Sequence, residues 1–349
     1  MSRDRTRRSI LVGGAAAALA GGTWQWLRRR VGLAERRGPG RLLPFITPED
    51  DFYVFAKYGF PEEQPLSQLQ LTLSGPDRRV SVPWAEVLAL PSQTRTLTLC
   101  CDGNGFLPSS MPLAGDIARN WRWRFSAIGT AEWRVVSIKE LFARYDVPLV
   151  GPCLRSSARD GEDFFHPIDS ILADEVVLAV GMNGGPLPHL RGFPGRLLAL
   201  GQYGVPSVKW VSELGSGENV PASWRNLETG TSQYVPVQPV AFVTSPVEGE
   251  VVHDARVEVV GATYAGRHPV REVRVAVDDG PGVLAELLEP AQPFVWSRWR
   301  AEVALSPGRH QLHVSCVDAV GRYSTTSSAR APREPDGFGG IHTIRVSRA

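Results

Sequence analysis

A strand that ends in two cysteines beside a tight turn is the sequence feature that most limits how this chain can fold. Residues 95–101 read Arg-Thr-Leu-Thr-Leu-Cys-Cys, and their polar–apolar alternation predicts a β-strand. Residues 102–105 read Asp-Gly-Asn-Gly and predict a sharp turn, because glycine tolerates a positive φ and Asx side chains bond the local backbone. Cys101 is therefore expected on a rigid support close to a loop, where functional groups concentrate. Cys101 also lies on the same face of the strand as the apolar residues Leu97 and Leu99, which equally fits an inert thiol in the core. The pattern alone leaves both interpretations open.

The positive charge of the chain is concentrated at its start. Residues 1–30 hold seven Arg and one Asp, a formal +6, whereas the whole chain carries +2, so the remainder carries −4. A folded basic face is not indicated, which argues against a nucleic-acid partner. Arg7 and Arg8 precede a Gly/Ala-rich apolar run, a pattern typical of a twin-arginine export signal. We interpret residues 1–30 as this signal or as an uncleaved anchor, and expect a protein that is periplasmic or anchored in the membrane facing outward.

A chain of 349 residues is too long for one ordinary core, which predicts two folded domains. Residues 31–45 are rich in Arg, Gly and Pro and are interpreted as a linker. Residues 46–235 mix helix and strand patterns without a repeated βαβ rhythm and so predict an α+β domain. Residues 236–349 contain short strand-like segments between turns, which predict an all-β sandwich of immunoglobulin-like type.

Three local patterns predict particular elements of the first domain. Residues 137–140 read Ser-Ile-Lys-Glu, a capping box that predicts a helix from Ser137 with Leu141 and Phe142 on its buried face. Residues 176–180 are continuously apolar and predict a central strand. Residues 183–186 read Asn-Gly-Gly-Pro and predict a hairpin or turn.

Several chemistries lack their motifs in this sequence. It contains no dinucleotide-binding glycine motif, no phosphate-binding loop, no nucleophile elbow, no zinc-type pair and no c-type haem signature. Any redox chemistry therefore needs an external electron partner. Arg196 and Lys209 lie in apolar stretches, where a basic group usually faces an anion. The alternatives are an internal carboxylate partner, or a side chain whose apolar stem is covered while its charged end reaches water.

The order of motifs resembles the sulfite oxidase family of molybdenum-cofactor oxidoreductases. Residues 99–104 read Leu-Cys-Cys-Asp-Gly-Asn and match the family's Leu-x-Cys-x-Gly-Asn turn. Four further family motifs are matched in the same order, at residues 127–133, 182–187, 192–196 and 207–210. The resemblance implies a molybdopterin cofactor and an α+β domain of the sulfite oxidase type at residues 46–235. It also implies that residues 236–349 are an immunoglobulin-like domain through which two chains form a homodimer.

The resemblance assigns roles to individual residues. It implies that Cys101 is the thiolate ligand of molybdenum and that Cys100 is the variable position of the turn. It further implies that the molybdopterin and its phosphate are bound by the following residues: Asn104, Arg196, Ser207 and Lys209.

The departures from the family pattern lie where substrate would bind. Residues 52–57 read Phe-Tyr-Val-Phe-Ala-Lys and lack the family's Arg and His, and Phe106 stands in place of an Arg. Arg191 replaces a His, and residues 164–166 read Phe-Phe-His where the family has a tyrosine. Arg191 and His166 are accordingly, with Cys101, the candidates for catalytic roles. Arg191, Arg155 and His166 could attract an anion, and a solvated loop position without a specific role is the alternative for each.

The resulting hypothesis is an exported molybdopterin oxidoreductase that transfers an oxo group to a small oxyanion such as sulfite. Its electrons would pass to an external carrier such as a cytochrome. One alternative is a molybdoenzyme with another substrate such as a sulfoxide, which Phe55 and Phe106 favour. A second alternative is a binding or scaffold protein on this fold without a cofactor.

Overall fold

The computed structural model describes residues 42–56, 58–105, 125–217, 236–324 and 341–349. The predicted export signal, most of the predicted linker and Phe106 lie outside these residues. The described residues include three short helices, α1 (Trp84–Leu88), α2 (Ile138–Arg144) and α3 (Ile168–Leu172). In the described part of the chain, no helix has the length and hydrophobicity that a bilayer crossing requires.

Strands dominate the described structure. In chain order they are β1 (Gln70–Ser74), β2 (Arg79–Pro83), β3 (Gln93–Cys100), β4 (Ile128–Val136), β5 (Cys153–Ala158), β6 (Asp163–Pro167), β7 (Val176–Met182), β8 (Gly185–Pro186), β9 (Arg196–Ala199), β10 (Val211–Ser216), β11 (Val240–Ser245), β12 (Glu250–Val252), β13 (Arg256–Tyr264), β14 (Val270–Val277), β15 (Val283–Leu284), β16 (Glu286–Leu287), β17 (Ser297–Ala304), β18 (Gly308–Asp318) and β19 (His342–Arg348).

The first ten strands form two sheets around a shared core. One sheet has the order β2-β1-β10-β5-β6, in which β1 and β10 run parallel and the other neighbours antiparallel. The other has the order β3-β4-β7-β8, with β9 also paired to β7. Apolar side chains of both sheets and of all three helices meet in one cluster. Every residue of β7 is buried, which confirms the predicted central strand.

The helix predicted from Ser137 is present, but it is capped differently from the prediction. α2 begins at Ile138, and Leu141 and Phe142 are buried on the predicted face. The Ser137 side chain makes no capping bond to the helix. Its hydroxyl donates instead to Asp174 Oδ1 at 2.6 Å.

The strand and turn at the two cysteines are confirmed. β3 pairs with β4 from Gln93 to Cys100, and the amide of Cys101 then donates to Ala127 O at 2.8 Å. The chain turns at once, with Gly105 at φ 88°. The hairpin predicted at residues 183–186 also forms, joining β7 to β8 through positive φ values at its two turn residues.

Residues described after 235 form a β-sandwich. One sheet has the order β11-β13-β17-β16 and the other the order β12-β19-β18-β14-β15. Apolar side chains of both sheets, among them Val273 and Trp299, meet in a common core. The strand-like segments expected in this region are confirmed, and the longest strands are β13, β14, β17, β18 and β19. The immunoglobulin-like assignment and the domain boundaries remain predictions.

The sandwich packs directly against β3. Thr98 is the centre of this contact: its amide donates to Phe294 O at 2.9 Å and its carbonyl accepts from Tyr264 Oη at 3.3 Å. The amide of Trp296 donates to Thr98 Oγ1 at 2.8 Å. Leu43, at the end of the predicted linker, is buried in the same contact. The strand that leads to Cys101 is therefore fixed from both sides.

Candidate functional site

A cleft opens where the end of β3 faces the loop after β9. Its empty space, including the part open to solvent, is about 760 Å³. The residues that line it lie in five segments of the chain, 52–55, 101–102, 160–162, 190–196 and 204–209. Segments far apart in sequence thus converge on the thiol end of one strand.

The two adjacent cysteines face opposite sides of β3. Cys101 is 5% exposed, lines the cleft and packs against Tyr53 and Phe55. Cys100 is 1% exposed and belongs to the core between the first sheets and the sandwich. Burial and then the charge of Asp102 raise the pKa of both thiols, and Cys101 Sγ donates to Asp102 Oδ1 at 3.2 Å. Of these two neighbouring thiols, that of Cys101 therefore lies in the cleft and that of Cys100 in the core.

Arg196 begins β9 and is almost fully buried, at 7% exposure. Its guanidinium donates to Arg191 O at 3.3 Å and to Ser207 O at 3.0 Å, and lies 5.6 Å from the ring centroid of Trp133. Burial lowers the pKa of Arg196 to about 10. Ser207 also accepts a bond from the amide of Ala199 at 3.1 Å, so it fastens the cleft loop to β9.

Lys209 lies beside Arg196 in the cleft wall. Its Nζ lies 4.9 Å from the ring centroid of Trp210, whose indole donates to His189 O at 2.7 Å. Trp210 has φ 52°, a left-handed conformation that a bulky residue rarely adopts. Burial and then the charge of Arg196 lower the pKa of Lys209 to about 7.

Glycine is required where these two basic residues come together. Gly192 has φ 112°, and a Cβ there would lie 3.0 Å from Arg196 Cβ and 3.1 Å from Lys209 Cβ. A larger residue would push the two basic side chains apart. The Gly-Phe-Pro motif thus brings two cations to one wall of the cleft.

These two cations lack a carboxylate partner in the described structure. Within the described ranges, no Asp or Glu oxygen lies within 4.0 Å of the charged nitrogens of Arg196 or Lys209. Asp160 and Glu162 also line the cleft, and they act on Lys209 at longer range. Buried cations without a partner are costly, so an anion in the cleft would stabilise the protein.

Arg191 lines the cleft, but its guanidinium is engaged by the backbone. It is 2% exposed and donates to Tyr53 O at 2.5 Å, to Glu49 O at 2.7 Å and to Phe52 O. The residue predicted to attract an anion therefore also anchors the segment of residues 49–53.

Two predicted site residues lie outside the cleft lining. His166 is fully buried in β6, where its Nε2 pairs with Ser156 Oγ at 3.0 Å and burial lowers its pKa to about 3. Asn104 Oδ1 accepts from the amide of Ala127 at 3.1 Å and so holds the turn after Cys101. The structure brings together the following predicted residues: Cys101, Arg191, Arg196, Ser207 and Lys209.

Several cleft residues were not assigned a role from the sequence. Tyr53 and Phe55 alternate with the buried Phe52 and Val54, a period-2 pattern that could have indicated two residues facing a site. Burial, followed by the charge of Cys101, raises the pKa of Tyr53. The carboxylates Asp102, Asp160 and Glu162 carry no comparable local signal, since the last two reach the cleft only through the β5–β6 turn.

Comparison with known proteins identifies a molybdopterin binding domain in this part of the chain. The model of the oxidoreductase molybdopterin binding domain matches residues 59–224. Human mitochondrial sulfite oxidase is 24% identical over 323 residues, covering 82% of this chain and 58% of the human protein. Chicken sulfite oxidase is 26% identical over 334 residues, covering 84% of this chain and 71% of the chicken protein.

A solved structure has the same fold. The sulfane dehydrogenase SoxCD from Paracoccus pantotrophus superposes with a TM-score of 0.76 at 23% identity, covering 88% of this chain and 82% of that chain. At this identity the likeness establishes the fold alone. The domain match and the sulfite oxidases aligned over most of the chain support its assignment to the sulfite oxidase family of molybdenum-cofactor oxidoreductases.

Proposed function

We propose that this protein is a molybdopterin-dependent enzyme that oxidises a small sulfur oxyanion such as sulfite. In the overall reaction, sulfite and water give sulfate, two protons and two electrons. The observation that carries the proposal is the placement of the Cys101 thiol in the same cleft as Arg196 and Lys209, two cations to which the described residues offer no carboxylate partner.

The residues of the cleft fit a molybdopterin. Cys101 offers a soft sulfur donor, which suits a transition metal held by sulfur ligands. Its raised pKa keeps the free thiol protonated, and a bound metal ion would supply the positive charge that favours the thiolate. Arg196 and Lys209 match the anionic phosphate of the cofactor, whose charge would offset the cost of burying theirs. When bound, the cofactor would supply oxygen-atom transfer and take up two electrons.

The chain itself supplies a shaped and partly dry site. Ser207 ties the cleft loop to β9, and Arg191 ties residues 49–53 to the opposite wall. Phe55 packs against Cys101, and Phe55 and Val208 line the cleft, where they reduce the amount of water and so strengthen the charge interactions. These contacts would hold the cofactor and its substrate in a fixed relative orientation.

The lining of the cleft also favours a second substrate class. Asp102, Asp160 and Glu162 bring negative charge to the cleft, and Phe55 brings an aromatic surface. Carboxylates repel a dianion but leave a neutral molecule unaffected. A neutral sulfoxide is therefore the second candidate.

The proposal includes the remaining predictions from the sequence. Electrons would leave one at a time to an external carrier such as a cytochrome. Export by the twin-arginine route would place the enzyme in the periplasm or on the outer face of a membrane. A homodimer through the immunoglobulin-like domain is the expected assembly.

Metal analysis and two substrate assays test the proposal. Protein purified from a molybdenum-replete host should contain about one molybdenum per chain. Sulfite with an artificial electron acceptor, or methionine sulfoxide with an artificial donor, should then be turned over, and the faster reaction identifies the substrate class. Wild-type protein with far less than stoichiometric molybdenum would contradict the enzyme proposal and support a scaffold role.

A further inference from the structure

We propose that Tyr53 is a substrate-binding residue whose hydroxyl donates a hydrogen bond to a sulfur-bound oxygen of the substrate, and that Arg191 positions it. The inference rests on the proposed function and deepens it. A sulfur-bound oxygen is common to sulfite and to sulfoxides, so the inference applies to both substrate classes.

The Tyr53 hydroxyl lies beside the candidate metal ligand. The Tyr53 side chain lines the cleft and packs against Cys101. The point that a Cβ on Gly204 would occupy lies 3.2 Å from Tyr53 Oη and 3.8 Å from Cys101 Cα. The absence of a side chain at Gly204 therefore leaves room between the hydroxyl and the strand end that carries the thiol.

The ring that carries this hydroxyl is held by an aromatic stack. Tyr53 stacks on Phe52, with ring centroids 5.5 Å apart and planes at 18°. Phe52 in turn meets Trp133 edge-on at 5.7 Å and 88°. Such packing restricts the rotamer of Tyr53, so its hydroxyl needs little further ordering when substrate binds.

Arg191 fixes the backbone of the same residue. Its guanidinium donates to the carbonyls of Glu49, Phe52 and Tyr53, and its planar fork sets their relative positions. Since Arg191 is buried in the wall of the cleft, these bonds are shielded from water. Displacing them would shift Tyr53 relative to Cys101.

A neutral donor is the group that this cleft needs for a sulfur-bound oxygen. In the proposed function Arg196 and Lys209 face the cofactor phosphate, and Asp102, Asp160 and Glu162 repel a negatively polarised oxygen. A tyrosine hydroxyl adds a directional donor without adding a charge that must be desolvated. It would orient the oxygen of an anionic or a neutral substrate equally.

Tyr53→Phe tests the hydroxyl, and Tyr58→Phe is the matched control. Tyr58 lies on the same segment, is 56% exposed and does not line the cleft. Holoenzymes of both variants should carry wild-type molybdenum. For the preferred substrate, kcat/KM should fall about 10- to 100-fold in Tyr53→Phe and stay near wild type in Tyr58→Phe.

A binding measurement separates this inference from the proposed function. Titration calorimetry of each holoenzyme with sulfate and with dimethyl sulfone reports affinity without turnover. For whichever probe the wild type binds more tightly, Tyr53→Phe should weaken binding about 10-fold. Equal affinity in Tyr53→Phe and Tyr58→Phe, or a wild type that binds neither probe, would overturn the inference. Loss of turnover in the wild type with binding intact would instead overturn the proposed reaction.

Arg191→Lys tests the positioning role. A lysine keeps the charge but cannot bridge three carbonyls with a planar fork, so probe affinity and kcat/KM should fall in the same direction as in Tyr53→Phe. In the double variant, Arg191→Lys should lower kcat/KM much less than it does alone, because both substitutions act through the Tyr53 hydroxyl. Effects that multiply independently would show that Arg191 does not act through Tyr53.

Discussion

Cys101 in the cleft and Cys316 in the sandwich have similar local sequences and opposite surroundings. Each continues an alternation of apolar residues, and they are 5% and 2% exposed, respectively. Burial raises the pKa of both, that of Cys316 to about 12. Cys316 lies within β18 in the apolar core of the sandwich, whereas Cys101 follows the end of β3 and borders a cleft. Burial alone therefore does not distinguish a ligand from a core thiol, but the groups brought in from other segments do.

The same contrast extends to the charged groups of the two regions. The sandwich core joins aliphatic and aromatic side chains of two sheets. The cleft joins a thiol, carboxylates and the two cations Arg196 and Lys209. Such a concentration of partly buried charge is unfavourable for folding and typical of a functional site. The sandwich stabilises the strand beneath the thiol, and the cleft holds the chemistry.

Replacing each of these two cysteines by serine should give the largest difference between the cleft and the sandwich. Cys101→Ser should reduce molybdenum-linked turnover by more than about 1,000-fold, because a metal ligand is lost. Cys316→Ser should leave turnover intact and lower stability by about 1–2 kcal/mol, since a hydroxyl replaces a thiol in an apolar core. Turnover, molybdenum content and thermal unfolding are measured for both variants.

Cys100→Ser is the matched control, because it tests which of the two adjacent cysteines is the metal ligand. Its thiol faces the interdomain core, so turnover should be largely retained. Equal loss of turnover in Cys100→Ser and Cys101→Ser would show that the assignment of the two sulfurs is wrong.

Adding a methyl group to one glycine in each region should separate stability from function. A Cβ on Gly261 would lie 1.9 Å from Phe242 O and 2.6 Å from Trp299 Cζ2, so Gly261→Ala should destabilise the sandwich by about 3 kcal/mol. The nearest neighbour of a Cβ on Gly204 is Tyr53 Oη at 3.2 Å, so Gly204→Ala should cost less than about 1 kcal/mol but narrow the cleft. Denaturant unfolding measures both, and a larger loss in Gly204→Ala would contradict the comparison.

Removing one cation tests whether the charge of the cleft serves an anion. Lys209→Met should lower cofactor retention about 10-fold, because the charge that faces the phosphate is lost. Lys139→Met is the control, since Lys139 is 39% exposed and pairs with Asp174 at 2.6 Å on the surface. Molybdenum per chain after extensive dialysis is the measurement. Equal retention in the two variants would mean that Lys209 does not hold the cofactor.

Local patterns predicted the elements, and the reason is that they depend on near neighbours in sequence. The alternation before Cys101 predicted β3, the apolar run at residues 176–180 predicted β7, and the glycines at 184 and 185 predicted a hairpin. The predicted capping bond of Ser137 was wrong: its hydroxyl donates to Asp174, a residue of another segment, and the side chain makes no bond to the helix. The motifs also identified Arg196 and Lys209, although nothing local showed that a carboxylate would be absent from both.

The order of residues along the chain is enough to show the resemblance to the family and to predict the strand beneath the thiols. It also points to the basic residues near the cofactor motifs, since each of these features is carried by a short contiguous pattern. The surroundings of those residues depend on long-range packing. Folding turned Cys101 to the cleft and Cys100 to the interdomain core, and buried His166 away from both. It also placed Tyr53 beside Cys101 through the backbone bonds of Arg191. Those contacts join segments separated by dozens of residues, and no local period or spacing encodes them.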